Sequence, residues 1–456
     1  MFQRNYKLIP PILIICLIGV MTSITGCSNP ISKTGHMEAD DITLINETSS
    51  VFMKGDGTSD NPYQISTPEQ LNAVRNNRES HYIQINDIDL SGYGNWKPIG
   101  GMDELYFKGN YDGNGYTISN LSIRIQKKSE MFDFSGGGIY IGLFGDAHDS
   151  SIKNVNMENV NIDIVISGFD TPKSSSDVLN SSANMFVGSL AGHGGLIEKC
   201  TSSGFINVKS KRRMHIGGIA GANQQASITD SINYINITAT LLPTSYEANR
   251  ELYCGGIVGW APDTELLRDF NKGSVQGSSN NYIHAGGISG KFGMIDKCIN
   301  YADISGQATQ CNGHSSFAYH SNVGGIVGSN KQYVQNCVNY GKINSYAEGS
   351  ASEGSSTSAA GGIVGFSEST IQASYNLASS INSYRKTELD SEKERAYALA
   401  ICGRHYRSST NLIDNYTIPC KINGNNTYSQ IEEKALTKKD VEQMVSKIDF
   451  GSALPA

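Results

Sequence analysis

The chain has 456 residues, with 36 Lys and Arg against 43 Asp and Glu, a formal charge of −7, 17% charged residues and 49 glycines. The acidic balance excludes a nucleic-acid partner, because neutralising phosphates needs a basic face. Few charges and many Gly, Asn, Ser and Ile point away from a helical enzyme. They point to an all-β repeat protein, long enough for one large solenoid or two ordinary domains.

Residues 1–26 place Arg4 and Lys7 before an apolar run at 8–20 and then small residues. That order is the order of a secretory signal, and the run is short for a membrane span. The junction Ser23-Ile24-Thr25-Gly26-Cys27 resembles the lipobox of bacterial lipoproteins. The resemblance implies cleavage after Gly26 and thioether lipidation of Cys27. It also implies an exported protein held to a membrane through palmitate-like chains, facing the cell exterior or periplasm. Each buried methylene contributes about 0.8 kcal/mol, so several chains anchor stably. Removing the signal deletes Arg4, Lys7 and no acid, which moves the formal charge from −7 to −9. Residues 27–54 are polar, without apolar periodicity, and read as a flexible tether.

Residues 55–135 read as an N-terminal cap and first coils. Thr67-Pro68-Glu69-Gln70 predicts a helix start, with Thr67 as N-cap, Pro68 in the first turn and Gln70 closing a capping box. Leu71 and Val74 supply its apolar face. Asp87 and Asp89 stand two apart on one strand and face the same side. A structural turn or ladder role is the first reading of the pair, and calcium binding the alternative. Asp112-Gly113-Asn114-Gly115 is a turn signature.

From 136 to 418 the chain repeats. An apolar-glycine block recurs at 141–145, 187–192, 216–221, 254–259, 285–290, 323–328 and 360–365. A second block follows each by about a dozen residues, clearest at 298–306 and 337–345. A unit this short cannot bury its own apolar face and must stack on its neighbours. Its brief Ile- and Val-rich segments, punctuated by Gly, Asn and Ser, predict parallel strands stacked coil on coil. Aligning the copies puts Asn233, Asn271, Asn300, Asn339 and Asn376 at one position, which predicts a structural ladder of side-chain amides. Two positions earlier stand Ser231, Asp269, Cys298, Cys337 and Ser374, continued upstream by Cys200 and Val155. Asn330, just after a glycine block, is expected in a turn.

These blocks resemble the GLUG motif of bacterial surface proteins, and the strings at 55–67, 86–92, 96–100 and 107–121 match the pattern that accompanies it. The resemblance covers most of 55–418 and implies a pectate-lyase-like right-handed parallel β-helix. It implies little about activity, because the motif occurs in adhesin-like proteins and in larger enzymes alike. Ser189 departs from the motif's second glycine, and 396–418 barely keeps the pattern, so the last coil is expected to be irregular. Residues 419–456 read as a C-terminal cap segment, with a closing helix at 437–446. Short capping helices are thus expected at both ends.

The chemistry-bearing residues are sparse. There is no HExxH, the nine histidines are scattered, and no catalytic, cofactor-binding or metal-binding set stands out. Beyond Cys27 the exported chain holds seven thiols, at 200, 254, 298, 311, 337, 402 and 420. Cys402 and Cys420 are the candidates for a disulfide, or else remain two thiols. Unequal spacers at 163–184, 240–252, 307–321, 346–359 and 379–396 all precede a glycine block, and insertions at one repeat position share one face of a solenoid. They carry Tyr246, Phe317, Tyr319, Tyr346 and Tyr384, which are candidate ligand-binding residues or else tolerated loop drift. Lys209, Lys211, Arg212 and Arg213 could attract an anionic glycan or form a solvated loop. The expected function is binding or adhesion, toward a glycan or a host or matrix surface. The alternative is a polysaccharide lyase or hydrolase, the one reading under which calcium would serve.

Overall fold

Each repeat makes one coil of parallel strands. In one coil, Tyr282–Gly286 belongs to a first sheet, Ser289–Lys291 and Met294–Asp296 to a second, and Ile299–Asn300 and Ile304–Thr309 to a third. His320–Gly324 then pairs in parallel with Tyr282–Gly286 and opens the next coil. The protein is a right-handed parallel β-helix. The computed structural model describes residues 51–52, 54–101, 106–127, 138–167, 184–243, 250–309, 319–349, 356–386, 396–405, 410–424 and 434–451. Among these, the first sheet has eight strands, from Ile139–Ile141 to Ala396–Leu399. No helix of the described residues is long and apolar enough to cross a membrane.

Side chains on a strand alternate between faces, so one register position makes one column along the stack. In the third sheet, Ile162, Ile206, Ile237, Val275, Ile304, Ile343 and Ile381 are in register and buried. From the third coil on, the turn from second to third sheet uses a single left-handed residue, among them Asn154, Asp230, Lys297, Asn336 and Ala373, at φ between 46° and 54°. Isolated αL residues of this kind redirect a strand without a loop.

The predicted asparagine ladder forms. Nδ2 of Asn233 donates to Oδ1 of Asn271 at 2.8 Å, Asn271 to Asn300 at 2.8 Å, Asn300 to Asn339 at 2.8 Å and Asn339 to Asn376 at 3.1 Å. The second Nδ2 hydrogen of each of the first four donates to a carbonyl two residues on, as from Asn339 to Gly341 at 3.0 Å. Each Oδ1 also accepts the N–H two residues on. All five side chains are fully buried. Buried amides are tolerated only when so satisfied.

This ladder dictates the second glycine of each block. A Cβ on Gly218, Gly256, Gly287, Gly325 or Gly362 would come within 2.1–2.4 Å of the facing ladder asparagine. Where the repeat breaks the glycine rule, it breaks the asparagine rule too. Ser189 faces Ser202, which donates to it at 2.6 Å, and the Ser189 hydroxyl donates to the Gly218 carbonyl. At the other end Ala400 follows Gly362 and Thr417 follows Asn376.

The neighbouring column caps backbone groups. Ser231 Oγ accepts from the Cys200 N–H, Asp269 Oδ1 from Ser231, Cys298 Sγ from Asp269 and Ser374 Oγ from Cys337. Cys298 and Cys337 are buried thiols, as their column position predicts. Asp269 is the exception in chemistry: it is fully buried and its Oδ2 has no hydrogen-bond partner. Burial pushes its pKa well above the usual carboxylate range.

Several expectations need correction or placement. Asn330 is not in an open turn; it is fully buried at the end of strand Val327–Asn330, bonded to Gly293 and Gln332. The N-terminal helix Pro68–Ala73 forms with Thr67 as cap, but Gln70 Oε1 accepts from Ser66 instead of closing the box on Thr67. The C-terminal helix Lys438–Val445 has the full capping box of Thr437 and Asp440. It packs along the flank of the third sheet, where Val441 and Phe450 meet the outward column Phe270, Ile299, Val338 and Tyr375. The strand Lys434–Ala435 pairs with Tyr416–Thr417 at the end of the stack.

Asn339→Ala removes one rung and orphans amide groups on both neighbours, at about 1–3 kcal/mol for each buried group left unsatisfied. Its melting temperature should fall by several degrees, while exposed Asn344→Ala in the same coil should melt with the wild type; equal melting would contradict the ladder. Asp269→Ser, the residue found in this column at 231 and 374, should melt higher than wild type at pH 7. A raised folded pKa means that stability is intact below the unfolded pKa of ~3.9 and lost as pH climbs toward the folded value. The advantage of Asp269→Ser should therefore vanish near pH 4, as measured by thermal melts across that range.

Candidate binding face and a concave corner

Outward positions of the third sheet form two polar columns. One runs Thr238, Gln276, Ser305, Asn344 and Asn382, the other Thr240, Ser278, Gln307, Tyr346 and Tyr384. Together they line a shallow depression of ≈ 410 Å³. The Tyr346 and Tyr384 rings stack with centroids 5.5 Å apart and planes 17° apart, and Tyr384 is 59% exposed. Beside them Asn382 Nδ2 donates to Asn344 Oδ1 at 2.8 Å, which leaves each amide with further bonding capacity. Tyr346 Oη donates to Glu348 Oε2 at 2.8 Å, and Lys386 Nζ donates to Glu348 Oε1 at 2.7 Å. Burial and then this hydrogen bond push the Tyr346 hydroxyl up to about 12, while Lys386 first and Tyr346 second hold Glu348 below its usual value. Tyr346 is thereby held in place half-buried, and Tyr384, stacked on it, faces solvent.

The spacer reading brought only part of this together. Tyr346 lies on strand Ile343–Glu348 and Tyr384 on Ser380–Lys386, not in loops. Tyr319 is 4% exposed and belongs to the interior cluster, so it does not share their strip. Tyr246 and Phe317 lie outside the described residues, as do Gly26 and Cys27. Cys402 is buried on strand Cys402–His405, Cys420 is half-buried near Asn376, and no S–S bond joins them. The basic cluster is not one open patch: Lys209 is exposed but Arg212 is buried. Asp87 and Asp89 take the structural role, Asp87 accepting from the Thr117 N–H and Asp89 from Ser91 and Asn120. Asn120 and Ser91 hold Asp89 below its usual pKa.

A second feature lies where the first and second sheets meet. The glycine blocks fold the first sheet sharply against the second, and the third glycine allows close backbone approach: a Cβ on Gly259 would lie 2.4 Å from the Ile216 nitrogen. Outward side chains of both sheets therefore meet in a concave corner. Its first-sheet column is Tyr140, Phe186, His215, Tyr253, His284 and Asn322. His215 packs edge-on against Tyr253 and Trp260, at 4.7 and 5.3 Å. Burial holds His215 and His284 neutral, well below the usual imidazole pKa. The residue before the apolar opening of each block was the available signal, since it is aromatic or histidine in most copies.

At the early end of this corner lie Asp146, His148 and His193, whose ligand atoms are within 4.8 Å of one another; among the described residues this is the grouping able to hold a metal ion. His148 Nδ1 is 2.8 Å from Asp146 Oδ1 and His193 Nδ1 is 3.5 Å from it. Burial lowers the His193 pKa, against the pull of Asp146.

No family profile matches the chain. Over 188 residues, 38% of this chain, it is 29% identical to a protein of Haloquadratum walsbyi named halomucin. Over 104 residues, 21% of this chain, it is 39% identical to a protein of Evansella cellulosilytica named as a Gly-rich membrane protein. The matches span 2% and 11% of those relatives' own lengths. A solved structure from Bacteroides ovatus, named as an immunoglobulin A1 protease, aligns over 88% of this chain and 91% of its own at 15% identity and a TM-score of 0.39.

Proposed function

We propose that the protein is an exported, lipid-anchored β-helix of the GLUG type that binds neutral glycan chains along the outer face of its third sheet. The observation that carries this reading is the stack of exposed Tyr384 on half-buried Tyr346, set among Asn344, Asn382 and Gln307. Pyranose rings present flat C–H faces that pack on aromatic rings, and amide side chains offer both donors and acceptors to hydroxyls. Successive coils rise ~4.8 Å, so the face offers repeated subsites to an extended chain. The columns are uncharged beside the pair, and the nearby acid, Glu348, is already bonded to Lys386 and Tyr346. That chemistry favours binding of a neutral chain over lyase action on an acidic one. Anchoring through Cys27 rests on the lipobox, and the naming of one relative as a membrane protein is in keeping with it.

The double substitution Tyr346→Ala, Tyr384→Ala should weaken binding on an array of neutral polysaccharides at least tenfold, with the circular dichroism spectrum unchanged. Undiminished binding by a folded double variant would refute the face. Tyr319→Ala, in the interior, should instead lower the melting temperature. Cys27→Ser should abolish labelling by a clickable palmitate and release the protein from membranes. Retained label or retained membrane association would refute the anchor independently of the glycan reading.

A further inference from the structure

We infer that Asp146, His148 and His193 form a site for one divalent transition-metal ion of the zinc class, apart from the glycan-binding face. Asp146 and His148 are two residues apart on strand Phe144–Lys153, on the same side. His193, on strand Ala191–Glu198, is in register with Asp146 one coil on. Both imidazoles turn Nδ1 toward one carboxylate oxygen, at 2.8 and 3.5 Å. Ligand atoms around a tetrahedral ion at ~2.0–2.1 Å stand about 3.3 Å apart. The existing spacing is thus within a small side-chain rotation of coordination geometry.

Three further observations point to a missing partner. The His193 ring is mostly buried, and its Nδ1, 3.5 Å from Asp146 Oδ1, is beyond normal hydrogen-bonding distance. A buried imidazole so placed lacks the bonds it would need to offset its desolvation. Both rings are nevertheless held: they stack on each other at 5.3 Å, Tyr106 lies 4.4 Å from His148, and Tyr140 and Phe186 flank His193 at 6.1 Å. Finally, His148 Nε2 faces Asp149 Oδ2 at 3.6 Å, so a carboxylate stands behind the ring on the side away from Asp146. That is the outer arrangement which orients a metal-bound histidine and raises its basicity.

The repeat does not impose this cluster. The same column continues from His193 to Ala222, Trp260, Lys291 and Ser329, with no second acid–histidine pair. Two nitrogens and one carboxylate suit Zn²⁺, Co²⁺ or Ni²⁺; Ca²⁺ requires six to eight oxygens. Three protein ligands leave a fourth position for water or an incoming group.

The test is to titrate the full chain, purified in detergent, with zinc by calorimetry and with cobalt by visible absorption. The expected result is one equivalent of zinc, a tetrahedral cobalt spectrum, a melting temperature raised by zinc and unmoved by calcium, and affinity at least a hundredfold lower in His148→Gln and His193→Gln. His148 is about a third exposed, so its variant keeps the fold and decides the question even if the His193 variant does not. Less than half an equivalent of zinc on the wild type, or equal affinity in folded His148→Gln, would overturn the site.

Discussion

A continuous column of side-chain amides inside a solenoid leaves no room beside it, and that exclusion organises the repeat. The amides of Asn233 to Asn376 bond to one another along the stack and to their own backbone two residues on. In a low-dielectric interior such a network is costly when incomplete and strong when closed. Each rung presses on the backbone across the coil, where only a residue without a Cβ fits. Asparagine and glycine are therefore one requirement expressed about fourteen residues apart, and coils that lose one lose the other, as Ser189 with Ser202 and Ala400 with Thr417 show.

The same glycine blocks create the outer surface on which function is proposed. Close backbone approach at the first and third glycines folds two sheets into a concave corner, so outward residues there are buried among one another. The third sheet remains open, and its outward columns face solvent except where the C-terminal helix covers Phe270, Ile299, Val338 and Tyr375. One repeat thus yields a polar open face able to grip an extended ligand and a sheltered corner able to hold buried histidines. The interior itself changes along the stack. In later coils hydroxyls form a chain across it, from Ser383 to Ser358, Ser345 and Ser321.

Much of the fold was legible because stacking turns sequence register into spatial columns. The five asparagines, the Ser231–Ser374 column and both helix caps could be read from alignment and local spacing. Tyr346 and Tyr384 stand out in the sequence, but the Ser-rich stretches around them hide that both sit on strands, Ile343–Glu348 and Ser380–Lys386. Around Tyr319 and Asn330 neighbouring Ser and Gly suggest exposure, yet Tyr319 joins the interior cluster and Asn330 is buried on the Gly293 and Gln332 carbonyls. The concave column shows in the sequence only as a recurring aromatic or histidine before the glycine blocks, because its burial depends on a sheet angle that spacing does not reveal. Asp146, His148 and His193 were missed for a related reason. His193 lies 45 residues after His148 and meets the Asp146–His148 pair only across one rung of the second sheet.

The central claim, that ladder asparagine and facing glycine are a single constraint, can be tested by adding a rung where the repeat lacks one. Ser202 is in register with Asn233 and faces Ser189. A double-mutant cycle of Ser202→Asn and Ser189→Gly, followed by chemical denaturation, measures their coupling. Ser202→Asn alone should be destabilised by crowding against the Ser189 side chain, and the double variant should recover to at least wild-type stability, with a favourable coupling of about 1–3 kcal/mol. Additive effects, with Ser202→Asn as stable alone as in the pair, would contradict the account.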